Sequence, residues 1–290
     1  MLIYASTWWY LLKAFSAAIP YLKALQYTWV AIFMDLVIPA EAVSGDVTRI
    51  YLASKALNGK TGEILASIVI HKILTISIPL LGLIISIIAI MFETSLSPVF
   101  LNFVMLVATG ACLTLAFLFL FSLNANTAEK ILDKIFDLLP DFFIKRLNTI
   151  SLKSKMQTFL KSFSNGIRVI TKHPSVLVST CCLAIVAWVL DLLAYYVVFV
   201  AIGVKIPLTV VVMVYSIMNA VQLIPFGTPG AIGPLEILMI GLFIPFGLSI
   251  SISAAATILI RLITLWFKFI VGGAMFEWAG LQFLFKKHKK

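Results

Sequence analysis

Apolar residues run in blocks of roughly 20 along this chain, each long enough to cross a bilayer as a helix. The blocks at about 20–39, 62–92, 98–122, 176–202, 206–224, 232–248 and 250–276 predict seven spans, with an eighth if residues 3–19 also cross. They are continuous rather than alternating, which excludes a β-barrel. The pattern breaks in three places. Residues 38–60 are too polar to span and read as a loop with a short helix, or as a re-entrant element. Residues 123–175 set apolar against charged positions at helical spacing, over 128–139 and again over 156–170. These two stretches predict interfacial amphipathic helices, or a linker hairpin packed on itself. The third break, residues 224–236 (IPFGTPGAIGPLE), packs three glycines, three prolines and one carboxylate between two apolar runs. Prolines remove amide donors and glycines loosen the backbone, so regular helix stops there. Non-helical backbone at membrane depth survives where protein or a water-filled cavity covers it. Glu236 is therefore expected to face a cavity.

Composition agrees with this pattern. The 290 residues are 62% hydrophobic and 12% charged, against about a quarter charged in soluble domains. The expected fold is an all-α polytopic integral membrane bundle of about seven to eight spans, with broken or re-entrant helices. It reads as one transmembrane domain over 1–290: a first half at about 1–122, a cytoplasmic amphipathic segment at 123–175, a second half at 176–279 and a basic tail at 280–290.

The net charge of +10 is unevenly placed, with nine Lys or Arg between Asn124 and Ser175 and four Lys in the last five residues. The positive-inside rule puts both regions on the cytoplasmic face of a multi-pass cell-membrane protein. No binding module accompanies the charge, so nucleic acid is not an expected partner. Cys112, Cys181 and Cys182 lie within apolar runs and read as small packing residues. The N-terminal stretch has no basic region or small-residue cleavage site and reads as a short membrane segment rather than a signal peptide.

Charges inside spans cost about 2.5–3.5 kcal/mol each on insertion scales, so they should pair or face a cavity. His71, Lys72, Asp191, Glu236, Arg261 and Lys268 are the candidates. Glu236 and Arg261 flank a single turn and have opposite sign, which suits either a substrate-binding pair or a structural one. Arg261 and Lys268 are seven residues apart and share a helix face suited to phosphate. Asp191 has Trp188 and Tyr195 on its own face and is expected to point inward, whereas Asp35 is expected at an interface. Ser216, Asn219 and Gln222 form a stripe explained by interhelical hydrogen bonds. No metal-ligand spacing, nucleotide-binding loop or catalytic constellation is present, so neither cofactor nor metal is expected.

The two halves also echo each other. Asp46 and His71 are 25 residues apart, as are Glu236 and Arg261, which suits an internal repeat of the kind transporters use.

The stretches 188–208, 224–243 and 258–273 resemble the lysylphosphatidylglycerol synthase transmembrane (flippase-like) family. That family has a proline, a PGG-like stretch, G-x-x-E and an arginine in the next helix. These fall on Pro225, Pro229, Gly230, Gly233, Glu236 and Arg261. Its earlier proline and Gly-acid-x-x-Arg pattern falls on Pro39, Gly45, Asp46 and Arg49. The sequence departs from the pattern at His71–Lys72, and at Ala231, where a glycine of the PGG-like stretch is missing. The resemblance is expected to extend to the membrane half only, without the aminoacyl-transfer domain of bifunctional members. The resemblance implies a lipid-handling membrane half, with membrane lipids of anionic or lipid-linked headgroup as partners. Two functions follow as expectations: translocation of a polar or charged lipid between leaflets, or presentation of a lipid-linked substrate to a separate glycosyl- or aminoacyl-transferase. Arg49, Asp46, Asp191, Glu236, Arg261 and Lys268 are the candidate substrate residues.

Overall fold

A chain segment inside a bilayer must satisfy its own backbone hydrogen bonds, so each long apolar run becomes a helix. The computed structural model describes residues 1–38, 43–57, 60–93, 97–123, 174–224 and 227–287. The first half holds α1 (Leu2–Ala14), α2 (Tyr21–Val37), α3 (Ser44–Ala56), α4 (Thr61–Glu93) and α5 (Pro98–Leu123). The second holds α6 (Pro174–Ala201), α7 (Leu208–Val221), a 3-10 turn (Pro229–Ala231), α8 (Pro234–Phe243) and a second 3-10 turn (Ile244–Phe246). It ends in one long rod: α9 (Ile250–Arg261), a π-helical segment (Leu262–Trp266) and α10 (Phe267–Lys287). The expected amphipathic stretches at 128–139 and 156–170 lie outside the described residues, as do Pro39 and Pro225.

Among the described residues, five segments are long and apolar enough to cross a membrane: Thr61–Phe92, Pro98–Ala116, Pro174–Ala201, Pro229–Phe246 and Ile250–Gln282. The protein is an all-α polytopic membrane protein. Two of the seven expected spans are short, α2 with 17 residues and α7 with 14. At 1.5 Å per residue α7 measures about 21 Å, against a hydrocarbon core of about 30 Å. Nine of its residues, Val210 through Val221, are buried, so other helices surround it rather than lipid. The first helix, α1, has 13 residues and is too short for the eighth expected crossing. It packs on α4 instead, where Trp8 Nε1 donates to Ser67 Oγ at 3.0 Å. The last helix runs on to Lys287, well past the expected end near residue 276.

Two apolar cores result. One joins α1, α2, α3 and the first half of α4 around Trp8, Tyr27 and Ile64. The other joins the far half of α4 to α5–α9 around Leu83, Phe199, Val211 and Phe243. Helix α4 belongs to both, and α2 reaches across to pack on α10 and on the first 3-10 turn. Outward-facing side chains such as Phe92, Val99, Leu106 and Ile237 are apolar and exposed, as a lipid-facing surface requires.

Candidate functional site

The polar stretch after α2 is where the first charged cluster forms. Helix α3 opens on Ser44, Gly45 and Asp46. Asp35, from the end of α2, accepts from the Gly45 amide at 2.7 Å and from Ser44 Oγ at 2.8 Å. A carboxylate from another helix thus satisfies an amide that α3 cannot satisfy itself. A Cβ on Gly45 would lie 2.3 Å from Asp35 Oδ2 and 2.6 Å from the Ala31 carbonyl oxygen, so only glycine fits. Asp35 is thus engaged with the start of α3. It anchors two helices.

Asp46 pairs with Arg49 on its own helix and with Lys72 Nζ on α4 at 2.5 Å. The Arg49 guanidinium carbon stands 5.3 Å from the Trp8 ring centroid, within cation–π range. Its Nη1 lies 3.5 Å from His71 Nδ1. Burial opposes both charges of the Asp46–Arg49 pair, but mutual attraction outweighs it. The carboxyl is held below its ordinary pKa and the guanidinium above.

The broken motif builds the second cluster. Gly230 and Gly233 take φ of 58° and 99°, which turns the chain sharply before α8. Pro234 fills the first helical position, where an amide would have no intrahelical partner. The turn presents the Gly230 carbonyl to Arg261 Nη2 at 2.7 Å. Glu236 then accepts from Arg261 Nε at 2.5 Å and from the Gly233 amide at 2.6 Å. One carboxylate is both helix cap and counter-ion.

Between the clusters lies a cavity of about 460 Å³. Asp35, Asp46, Arg49 and Lys72 line it from the first half, and Asp191, Arg261 and Lys268 from the second. Gly230 reaches the wall, whereas Pro229, Gly233 and Glu236 are not among the described residues that line it. The expectation that Glu236 faces the cavity is met only indirectly: its carboxylate stands behind Arg261 and fixes it.

Asp191 has a different environment. Its Oδ2 accepts from the Tyr215 hydroxyl at 3.2 Å, and no cation forms an ion pair with it among the described residues. Lys268 likewise makes no ion pair or hydrogen bond among those residues. The π-helical segment shifts the helical register after Arg261, so Ile263, Thr264, Leu265, Phe267 and Lys268 all reach the cavity. The Ser216–Asn219–Gln222 stripe also lines it. Among the described residues no interhelical hydrogen bond uses the stripe: Asn219 donates to the Tyr215 carbonyl on its own helix, and the buried Ser216 hydroxyl has no partner there. Sequence reading assigned this stripe to helix packing. The structure turns it toward the open space.

These features recur in known proteins. The family described as the lysylphosphatidylglycerol synthase TM region matches residues 1–272. The chain belongs to that family. Among curated proteins, it is 30% identical over 159 residues to a UPF0104 membrane protein of Methanothermobacter thermautotrophicus. That match covers 55% of this chain and 46% of the relative, so the chain spans under half of that relative's length. A UPF0104 membrane protein of Pyrococcus horikoshii is 25% identical over 292 residues, covering 95% of this chain and 82% of the relative. No solved structure matches the chain.

Asp35 and Lys72 were not singled out as candidate substrate residues. Lys72 stands 26 residues after Asp46, one off the spacing that flagged the Glu236–Arg261 pair. That spacing was the available signal. Asp35 gave a weaker one, a carboxylate one turn before a break.

Proposed function

We propose that this protein binds polar lipid headgroups in the central cavity and carries them between the two leaflets. The observation that carries this reading is the cavity lined by charged side chains from both halves inside a membrane bundle. Acyl chains have no need of such a site, but a headgroup crossing hydrocarbon does, because leaving water unpaired costs it several kcal/mol. Arg49 and Arg261 stand ready to meet phosphate oxygens, and their carboxylates hold them in place.

Purified protein in proteoliposomes should move acyl-labelled phospholipids from the inner to the outer leaflet, read by dithionite quenching. Arg49→Ala and Arg261→Ala should each slow this by tenfold or more. Movement no faster than in protein-free vesicles would end the translocation reading. The family's description as one region of a synthase favours a second reading, presentation of a lipid substrate to a separate transferase. In that case the same variants would change only the partner enzyme's turnover.

A further inference from the structure

The charges lining the cavity divide into those with partners and those without. Arg49 and Lys72 share Asp46, Arg261 holds Glu236, and Asp35 is committed to the start of α3. Among the charged side chains of the described residues that line this space, one acid and one base remain without an ion pair, Asp191 and Lys268. A charge at membrane depth is costly until something of opposite sign meets it. Resting on the lipid-binding reading, we propose that the cavity selects a headgroup of net charge zero, with one phosphate and one primary ammonium. Lys268 takes the phosphate and Asp191 the ammonium.

The surroundings of each residue fit its share. Asp191 stands on α6 one turn from Trp188, which also lines the cavity, and beside the edge-to-face pair Tyr195–Tyr215, whose centroids are 5.2 Å apart. Aromatic faces next to a carboxylate are a good setting for an ammonium. The indole of Trp188 owes its place to Gly82 on α4, where a Cβ would lie 2.5 Å from the ring. On the other side, Lys268 shares its wall with Arg261, a second donor for phosphate oxygens. Ser216 supplies a buried hydroxyl with no protein partner.

The count of charges discriminates among lipids. An anionic headgroup such as phosphatidylglycerol would satisfy Lys268 and leave Asp191 facing a phosphate. A headgroup with surplus amines would satisfy Asp191 and bring an unmatched cation to an already paired set of bases. A quaternary amine carries the right charge but cannot donate hydrogen bonds to Asp191.

The test uses acyl-labelled phosphatidylethanolamine, phosphatidylcholine, phosphatidylglycerol and lysyl-phosphatidylglycerol in proteoliposomes. Binding of glycerophosphoethanolamine and glycerophosphoglycerol to the detergent-purified protein is followed by tryptophan fluorescence. Phosphatidylethanolamine should move at least fivefold faster than the other three, and Asp191→Asn should abolish that preference. Lys268→Gln should slow every phospholipid. Equal rates for all four lipids, or a preference that survives Asp191→Asn, would overturn the assignment. If no lipid moves but glycerophosphoethanolamine binds in preference and depends on Asp191, translocation fails and the headgroup assignment stands. If neither soluble headgroup is preferred and no lipid moves, both fail.

Discussion

Glu236 answers to two partners, an amide at the start of its own helix and a guanidinium 25 residues away. Removing one member of a buried ion pair costs about 3–5 kcal/mol, and Glu236 keeps 26% of its side-chain surface open, so the lower end applies. Glu236→Gln should therefore lower the thermal unfolding midpoint in detergent markedly, and Glu236→Ala, which also loses the cap, should lower it further. An unchanged midpoint for both would mean that the pair contributes nothing to the fold. Arg261→Lys should not rescue Arg261→Ala, because an ammonium cannot repeat the two-sided grip on Glu236 and the Gly230 carbonyl. Sequence reading could see Glu236 and Arg261 as opposite charges flanking one turn. It could not see that the Gly230 carbonyl completes the arginine's partners, because backbone donors and acceptors look the same at every residue.

At the scale of elements, the informative places are where helices fail. The turn before α8 contains Ala231 at φ 46°, left-handed backbone that costs a residue with a Cβ about 1 kcal/mol. The missing glycine noted in the family's PGG-like stretch is thus a strained position, and Ala231→Gly should raise the unfolding midpoint by a few degrees. A fall would show that burial of the Ala231 methyl outweighs backbone relief. Gly45→Ala should do the opposite, forcing α3 away from Asp35 and Ala31. Its readout is loss of folded protein by size-exclusion chromatography. The breaks were legible because proline and glycine act locally. The π-helical segment was not: residues 262–266 (LITLW) hold no proline or glycine, and the sequence there reads as ordinary helix. The polar stripe of α7 was visible, but its direction depends on which neighbour covers it.

For the whole molecule, the number of apolar runs and the all-α class followed from hydropathy alone, since each run must satisfy its own backbone. The shortness of α2 and α7 did not, because a buried helix need not match the bilayer that lies beyond its neighbours. The cavity was least legible of all. Its wall draws on residues from 1 to 268, and nothing local relates Asp191 to Lys268 or to Arg49. If this space admits water, single cysteines at Thr75 or Asn219 should react with a charged thiol reagent in membranes, once Cys112, Cys181 and Cys182 are replaced. Cysteines at Ile85 and Ile258, which are exposed on the outer surface, should not react. Equal labelling at all four positions would mean that the two classes of site do not differ in access to water.

The two charged clusters also bear on how the protein is made. Each closes a loop of only 25 or 26 residues, so each needs nothing beyond a neighbouring helix. During synthesis the Asp46–Lys72 clasp can form once α4 has emerged, about 80 residues before α6 begins. The Glu236–Arg261 clasp can close as the last rod is inserted. The two halves then meet with both arginines already neutralised, and Asp191 and Lys268 are left without an ion pair among the described residues. Crosslinking of nascent chains through cysteines on the facing sides of α3 and α4, with Asp46 and Lys72 kept, would catch the first clasp before residue 174 is synthesised, and its absence at that stage would place the step after assembly.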